Sequence, residues 1–144
     1  MTLIEPKWPA PKNVRAFSTT RKAGVSLGAF AGLNLGLHVN DDKKDVLSNR
    51  KLLESVSNHP DNLHWLNQTH SIDVVPYSLN TIGQQADGVY SQDINEPCVV
   101  MTADCLPVLL CSKQGDFVAA VHAGWRGLAD GILLAGANKY PNPK

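Results

Sequence analysis

Residues 102–127 read TADCLPVLLCSKQGDFVAAVHAGWRG, and this stretch decides the fold. Two apolar runs, Leu106 to Cys111 and Phe117 to His122, flank a polar turn at Ser112 to Asp116, which is the pattern of a β-hairpin. Ala119 and Ala120 are small enough to let another layer approach the second strand closely. Pro107 has no N–H for a ladder, so its strand belongs at an edge or bend, a place from which the neighbouring Cys105 can be presented. After the AGWRG turn, Leu128 to Lys139 has helical character despite Gly131 and Gly136. Just upstream, Cys98 to Thr102 is a compact apolar run that predicts a buried strand.

Working outward, residues 1–12 carry Pro6, Pro9 and Pro11 and read as an extended arm, followed by a first strand over Val14 to Thr19. The segment KAGVSLGAFAGLNLG then places four glycines in fifteen residues, which forbids a stable regular element and implies a loop, either a surface loop or one that lines a ligand. Asp41 and Asp42 are N-cap candidates for KKDVLSNRKLLESVS, where Val46, Leu53 and Val56 recur at helical spacing with Leu52 beside them. Asn58 and Pro60 stop that helix. In LHWLNQTHSIDVVPY, Ile72 and Val74 alternate as a half-buried strand requires, and His70 lies at its start. Ala86-Asp87-Gly88 marks a tight turn. The order of elements predicts an α/β protein, an α+β sandwich with mixed β-sheet layers and flanking helices, organised as one domain over 1–144.

Thirteen basic and thirteen acidic residues give zero formal charge, so the whole-chain field favours neither nucleic acid nor an anionic membrane. No apolar run approaches the ~20 residues of a bilayer span, and the prolines near the N-terminus stand where a signal peptide needs its apolar helix, so a cytoplasmic location is expected. Cys98, Cys105 and Cys111 are odd in number and lack CxxC spacing, which argues against a disulfide framework and leaves room for a functional thiolate.

Cys105 and His122 sit at the ends of the two hairpin runs, and with His70 they offer one thiolate and two imidazoles. That set suits a zinc ion with one position left open, at which a water's pKa can fall from 15.7 to about 7, giving a hydrolytic or deaminating nucleophile. The same atoms allow a cysteine hydrolase, with Cys105 as nucleophile, His122 as base and Asp104 as orienter. With Met101 nearby they also allow a blue-copper site, although a multicopper oxidase draws on more imidazoles than His38, His59, His64, His70 and His122 supply. Asp104 is a candidate proton shuttle or hydrogen-bond partner for a ligand imidazole. Arg126, between two glycines at a helix entrance, can hold an anion, with Trp125 packed in the core as the plainer reading of that turn. Asn49 and Arg50 either face an anion or lie on a solvated helix face.

TTRKAGVSLGAFAGLNLG, VLSNRKLL, WLNQTHSIDVV, ADGVYS, MTADCLPVLLC and VAAVHAGWRGL, in this order, resemble the YfiH family, also described as DUF152 or the laccase-domain family of purine nucleoside phosphorylases. The resemblance covers nearly the whole chain and implies a cytoplasmic α/β protein with zinc held by His70, Cys105 and His122. It implies phosphorolysis of purine nucleosides and deamination of adenosine, with polyphenol oxidation in older descriptions of the family. On that reading purine nucleoside and phosphate are the partners, Cys105 and Asp104 carry catalysis, Arg126 or Arg50 holds phosphate, and Asn34 holds nucleoside. Ser71 departs from the glycine that commonly follows the histidine of the QxH motif. Family members are also longer, and their later half supplies further strands and part of the pocket. The chain is therefore expected to be a partial, truncated domain, with a catalytically incomplete metal-binding or interaction module as the alternative to an enzyme.

Overall fold

The computed structural model describes residues 1–59 and 63–141. The chain divides into two compact units, one formed by Met1–Trp8 with Arg15–Asn62 and the other by Pro9–Val14 with Leu63–Lys144.

In the first unit, β1 (Leu3–Ile4) pairs antiparallel with β2 (Ser18–Thr19). The expected strand over Val14 to Thr19 therefore pairs only in its last two residues, because the arm offers a partner just two residues long before Pro6 intervenes. The Val14 amide instead closes a turn onto the Pro11 carbonyl at 2.9 Å. In the glycine-rich loop Ser26 and Gly32 exchange backbone hydrogen bonds at 3.2 and 3.0 Å. A Cβ on Gly24 would lie 2.1 Å from the Gly32 carbonyl oxygen, so the close approach this loop requires is to itself.

Helix α1 (Lys43–Ser57) begins where the sequence places it, with the Asp42 carboxylate accepting from Lys44 N–H at 2.8 Å. It ends at Asn58, which takes the left-handed conformation that closes a helix; Pro60 lies outside the described residues. Val46, Asn49, Leu53 and Ser57 form the buried stripe. Asn49, expected on a solvated face or against an anion, is fully buried. Its Oδ1 accepts from Val25 N–H at 2.8 Å, while Nδ2 donates to Ser26 Oγ, the Gly32 carbonyl and the Asn34 carbonyl at 2.9, 3.2 and 2.9 Å. One amide thus supplies the hydrogen bonds that the irregular loop cannot make by pairing.

The second unit is built on a four-stranded sheet in the order β3-β4-β6-β5. These strands are β3 (Val74–Pro76), β4 (Gly88–Ser91), β5 (Leu106–Cys111) and β6 (Val118–Ala123). β3 runs parallel to β4, and β6 runs antiparallel to both β4 and β5. The hairpin is as the sequence indicates, and Pro107 lies on the edge strand β5 opposite His122. β6 is buried along both faces, which explains its unbroken apolar run. Val89 and Ala120 pack with Leu66 and Ala86 on one side. Val121 and Ala123 pack with Val74 and Ile132 on the other.

Four expectations change. Cys98 to Thr102 is not a strand, because the Met101 backbone pairs with a side chain, Gln68, whose amide donates to the Met101 carbonyl at 2.8 Å and accepts its N–H at 2.7 Å. Ala86 to Gly88 is not a tight turn: Ala86 and Asp87 are buried and Gly88 opens β4. Ile72 is exposed, and the strand begins only at Val74. The single C-terminal helix is two, α2 (Trp125–Asp130) and α3 (Ile132–Ala137), parted by Gly131 at φ 99°. The break lets Ile132 turn onto Val121, and Gly136 allows α3 close to the sheet, since a Cβ there would sit 3.1 Å from Val121 Cγ1. No described helix is long and apolar enough to cross a membrane.

Replacing Asn49 by Ala strands the Val25 N–H and the Asn34 carbonyl inside the first unit, while the Gly32 carbonyl keeps the Ser26 N–H, and each unmet buried group costs about 1–3 kcal/mol. Urea unfolding of Asn49→Ala is expected to show a loss of that size at least; a change below about 0.5 kcal/mol, the scale of an ordinary surface substitution, would contradict this role.

Candidate metal centre

All three sequence-assigned donors belong to the second unit, and the fold brings them together. One ligand atom from each of His70, Cys105 and His122 lies within 4.8 Å of the others. Cys105 Sγ is 4.0 Å from His70 Nε2, and the two imidazole rings meet edge to face with centroids 4.8 Å apart. Cys105 directly precedes β5, and His122 faces Pro107 across the hairpin, so two donors share one end of it. His70 enters from the loop before β3, in a left-handed conformation with φ 62°. For a residue other than glycine that conformation costs about 1–2 kcal/mol and must be held by its surroundings.

What holds it is Asp87, fully buried at the start of β4. Its Oδ1 accepts from His70 N–H at 3.0 Å and pairs with His122 Nδ1 at 2.7 Å. Its Oδ2 accepts from Thr69 N–H at 3.0 Å, Ser71 N–H at 2.7 Å and Ser71 Oγ–H at 2.9 Å. The Asp87 carbonyl also accepts from His122 N–H at 2.7 Å. Burial by itself pushes the Asp87 carboxyl pKa up, but the hydrogen bonds from His122, Ser71 and Thr69 outweigh it and leave the group below the ordinary carboxylate value. The imidazole-bound carboxylate is therefore Asp87 and not Asp104, whose Oδ1 instead lies 3.8 Å from Cys105 Sγ.

The Cys105 thiol is raised above its ordinary pKa, first by burial and then by the negative charges of Asp104 and Asp87. Ligation requires the thiolate, and a cation between Cys105 and the imidazoles opposes the carboxylate charges that keep the proton on sulfur. In a tetrahedral site with bonds of about 2.0–2.3 Å, neighbouring donors stand roughly 3.3–3.6 Å apart. The separations here lie somewhat beyond that, so the donor set fits such an ion with a small inward movement.

The other assigned residues are placed differently. Arg126 is exposed on α2, its guanidinium 5.1 Å from the Trp125 ring centroid, and Trp125 is 74% exposed rather than packed in the core. Asn34 and Arg50 lie in the first unit. Asn34 donates to Asp41 Oδ2 at 2.8 Å and accepts from Gly36 N–H at 3.1 Å. Arg50 Nε donates to the Leu35 carbonyl at 2.9 Å, and burial lowers its pKa to about 10. Two positioning groups escaped sequence reading. Asp87 reads as a turn residue within ADG, and Gln68, whose bidentate grip on Met101 fixes the segment leading to Cys105, reads only as the polar start of QTH.

This sheet, with its helical pair and its thiol and imidazole donors at one end of the hairpin, defines a mixed α/β protein with a candidate three-donor metal centre. The chain belongs to the YfiH (DUF152) family: the family model described as multi-copper polyphenol oxidoreductase laccase matches residues 15–143. It is 51% identical over 135 residues to a protein of Haemophilus influenzae named purine nucleoside phosphorylase, covering 92% of this chain and 54% of that one. It is 48% identical over 136 residues to purine nucleoside phosphorylase YfiH of Escherichia coli K12, covering 91% and 54%. A crystal structure of a Neisseria meningitidis DUF152 protein superimposes with a TM-score of 0.91 at 44% identity, over 98% of this chain and 58% of that one. The chain thus spans about half the length of the curated relatives it matches.

Gly124 packs against two donors at once. A Cβ there would lie 2.9 Å from His70 Cδ2 and 3.3 Å from Cys105 Sγ. Gly124→Ala is expected to push these groups apart and lower zinc affinity about tenfold or more, the scale at which perturbing a ligand's support acts. Competition against a chromophoric chelator measures this, and unchanged affinity in a folded variant would show that the donors do not act together.

Proposed function

We propose that this chain carries the metal centre of a zinc-dependent purine nucleoside enzyme, acting in phosphorolysis of inosine-, guanosine- and adenosine-type nucleosides and in deamination of adenosine. The observation that carries the reading is the convergence of His70, Cys105 and His122 on one point at the end of the hairpin. The names of its relatives supply the substrate class. One thiolate and two imidazoles suit zinc as the resident ion, because they satisfy three corners of a tetrahedral cation and leave one position for substrate or water. Bound there, zinc supplies a localised positive charge that stabilises negative charge developing on substrate oxygen.

The remaining groups are assigned by their chemistry. In phosphorolysis a phosphate oxygen attacks the anomeric carbon of the ribose, the bond to the purine nitrogen breaks, and the leaving base takes a proton. Asp104, beside Cys105, is the carboxylate proposed to relay that proton. The exposed Arg126 guanidinium, stacked on Trp125, is the proposed phosphate holder, since a planar fork of donors pairs with phosphate oxygens two at a time. Arg50 and Asn34 stay in this reading as candidates for phosphate and nucleoside, each braced by its own loop. In deamination, water adds at C6 of the purine and the amine leaves as ammonia, a reaction for which bound zinc would supply an activated water.

The reading is tested with this chain and with a version of the full length of its relatives, each with and without Cys105→Ala. In the full-length version, Cys105→Ala is expected to lose stoichiometric zinc and phosphate-dependent release of hypoxanthine from inosine together. Retention of both would overturn it.

A further inference from the structure

We propose that Asp87 is the positioning residue of this centre, a single carboxylate that sets both histidines through two different devices. The inference rests on the metal-centre reading above and adds to it a group outside the donor set.

The first device acts on a ring. An ionised carboxylate only accepts, so the 2.7 Å contact between Asp87 Oδ1 and His122 Nδ1 requires the proton on Nδ1. The Nε2 lone pair is then the one left to face a cation. With the side chain of His122 buried and its own backbone N–H bound to the Asp87 carbonyl at 2.7 Å, residue and ring are fixed by the same partner.

The second device acts on a backbone. Three successive N–H groups, from Thr69, His70 and Ser71, converge on the Asp87 carboxylate at 3.0, 3.0 and 2.7 Å. A concave run of amides of this kind needs a residue of left-handed conformation, and that residue is His70, at φ 62°. The backbone twist that aims the His70 ring at Cys105 is therefore the twist that closes the amides on Asp87. Ser71 adds its hydroxyl at 2.9 Å, a bond that the glycine expected at this position could not make.

Asparagine is the informative replacement because it keeps the volume of Asp87 but has one accepting end. If its NH2 group faces His122, the ring must accept at Nδ1 and carry its proton on Nε2, where a ligand bond is then blocked. If it faces Thr69 and Ser71, those two N–H groups meet a donor, and the turn that holds His70 left-handed keeps only one of its three amide bonds. Either placement costs a ligand.

Zinc affinity of the wild-type chain, Asp87→Asn and Cys105→Ala is measured by chelator competition, and long-range ¹H–¹⁵N spectra of the metal-free wild-type chain report the His122 tautomer. The expected result is stoichiometric zinc in the wild type, affinity about 10–100-fold weaker in Asp87→Asn, and an Nδ1-protonated His122. Equal zinc affinity in Asp87→Asn and wild type, or an Nε2-protonated His122, would overturn the assignment to Asp87. Equal affinity in wild type and Cys105→Ala would instead overturn the metal-centre reading, and the positioning role built on it. The tautomer measurement needs no variant and decides the His122 device even if Asp87→Asn does not fold.

Discussion

The second unit is organised around one buried negative charge. A carboxylate removed from water is costly unless its lone pairs are met, and Asp87 meets them with backbone amides of one loop, hydroxyl and amide of Ser71, and an imidazole from the hairpin. These partners come from two separate stretches of chain and Asp87 from a third, so satisfying the charge also docks the stretches. The loop before β3, the start of β4 and the end of β6 are joined at one point, and two candidate ligands are joined with them. Stability and site geometry therefore share their interactions here, and the left-handed strain at His70 is held by bonds that folding itself requires.

The third donor arrives by a separate route. Cys105 stands at the mouth of the edge strand, where Pro107 has no amide to give, and its approach is fixed by the paired hydrogen bonds between the Gln68 amide and the Met101 backbone. Gln68 lies two residues before His70 and Met101 four before Cys105, so one side chain ties the two ligand-bearing segments together. Gly124 then leaves the space into which both project. A short hairpin, a glutamine clamp and one missing side chain suffice to bring a sulfur and an imidazole within 4.0 Å.

Much of this was legible in the residues. The hairpin, the edge position of Pro107 and the helix over 43–57 with its Asp42 cap follow from local pattern and local capping, and the structure has them. The donor trio came from residue type together with family resemblance, and the structure supplies its proximity. What escaped were features set by partners distant in sequence. Asp87 within ADG carries every mark of a turn, and only the fold reveals it as buried. Asn49 sits on a helix face that its polarity marks as solvated, yet it binds a loop more than a dozen residues away. Cys98 to Thr102 has the composition of a strand, but a side chain rather than a neighbouring strand takes its hydrogen bonds. Gly131 looks tolerable inside a helix until Ile132 must reach the sheet.

The central claim is that Asp87 and the hairpin end assemble one thiolate and two imidazoles around a common ion. X-ray absorption at the zinc edge of the zinc-loaded chain tests it most directly. The account predicts a sulfur scatterer at about 2.3 Å with two imidazole nitrogens near 2.0–2.1 Å and a further light-atom ligand. A coordination shell of nitrogen and oxygen alone, with no sulfur, would contradict it.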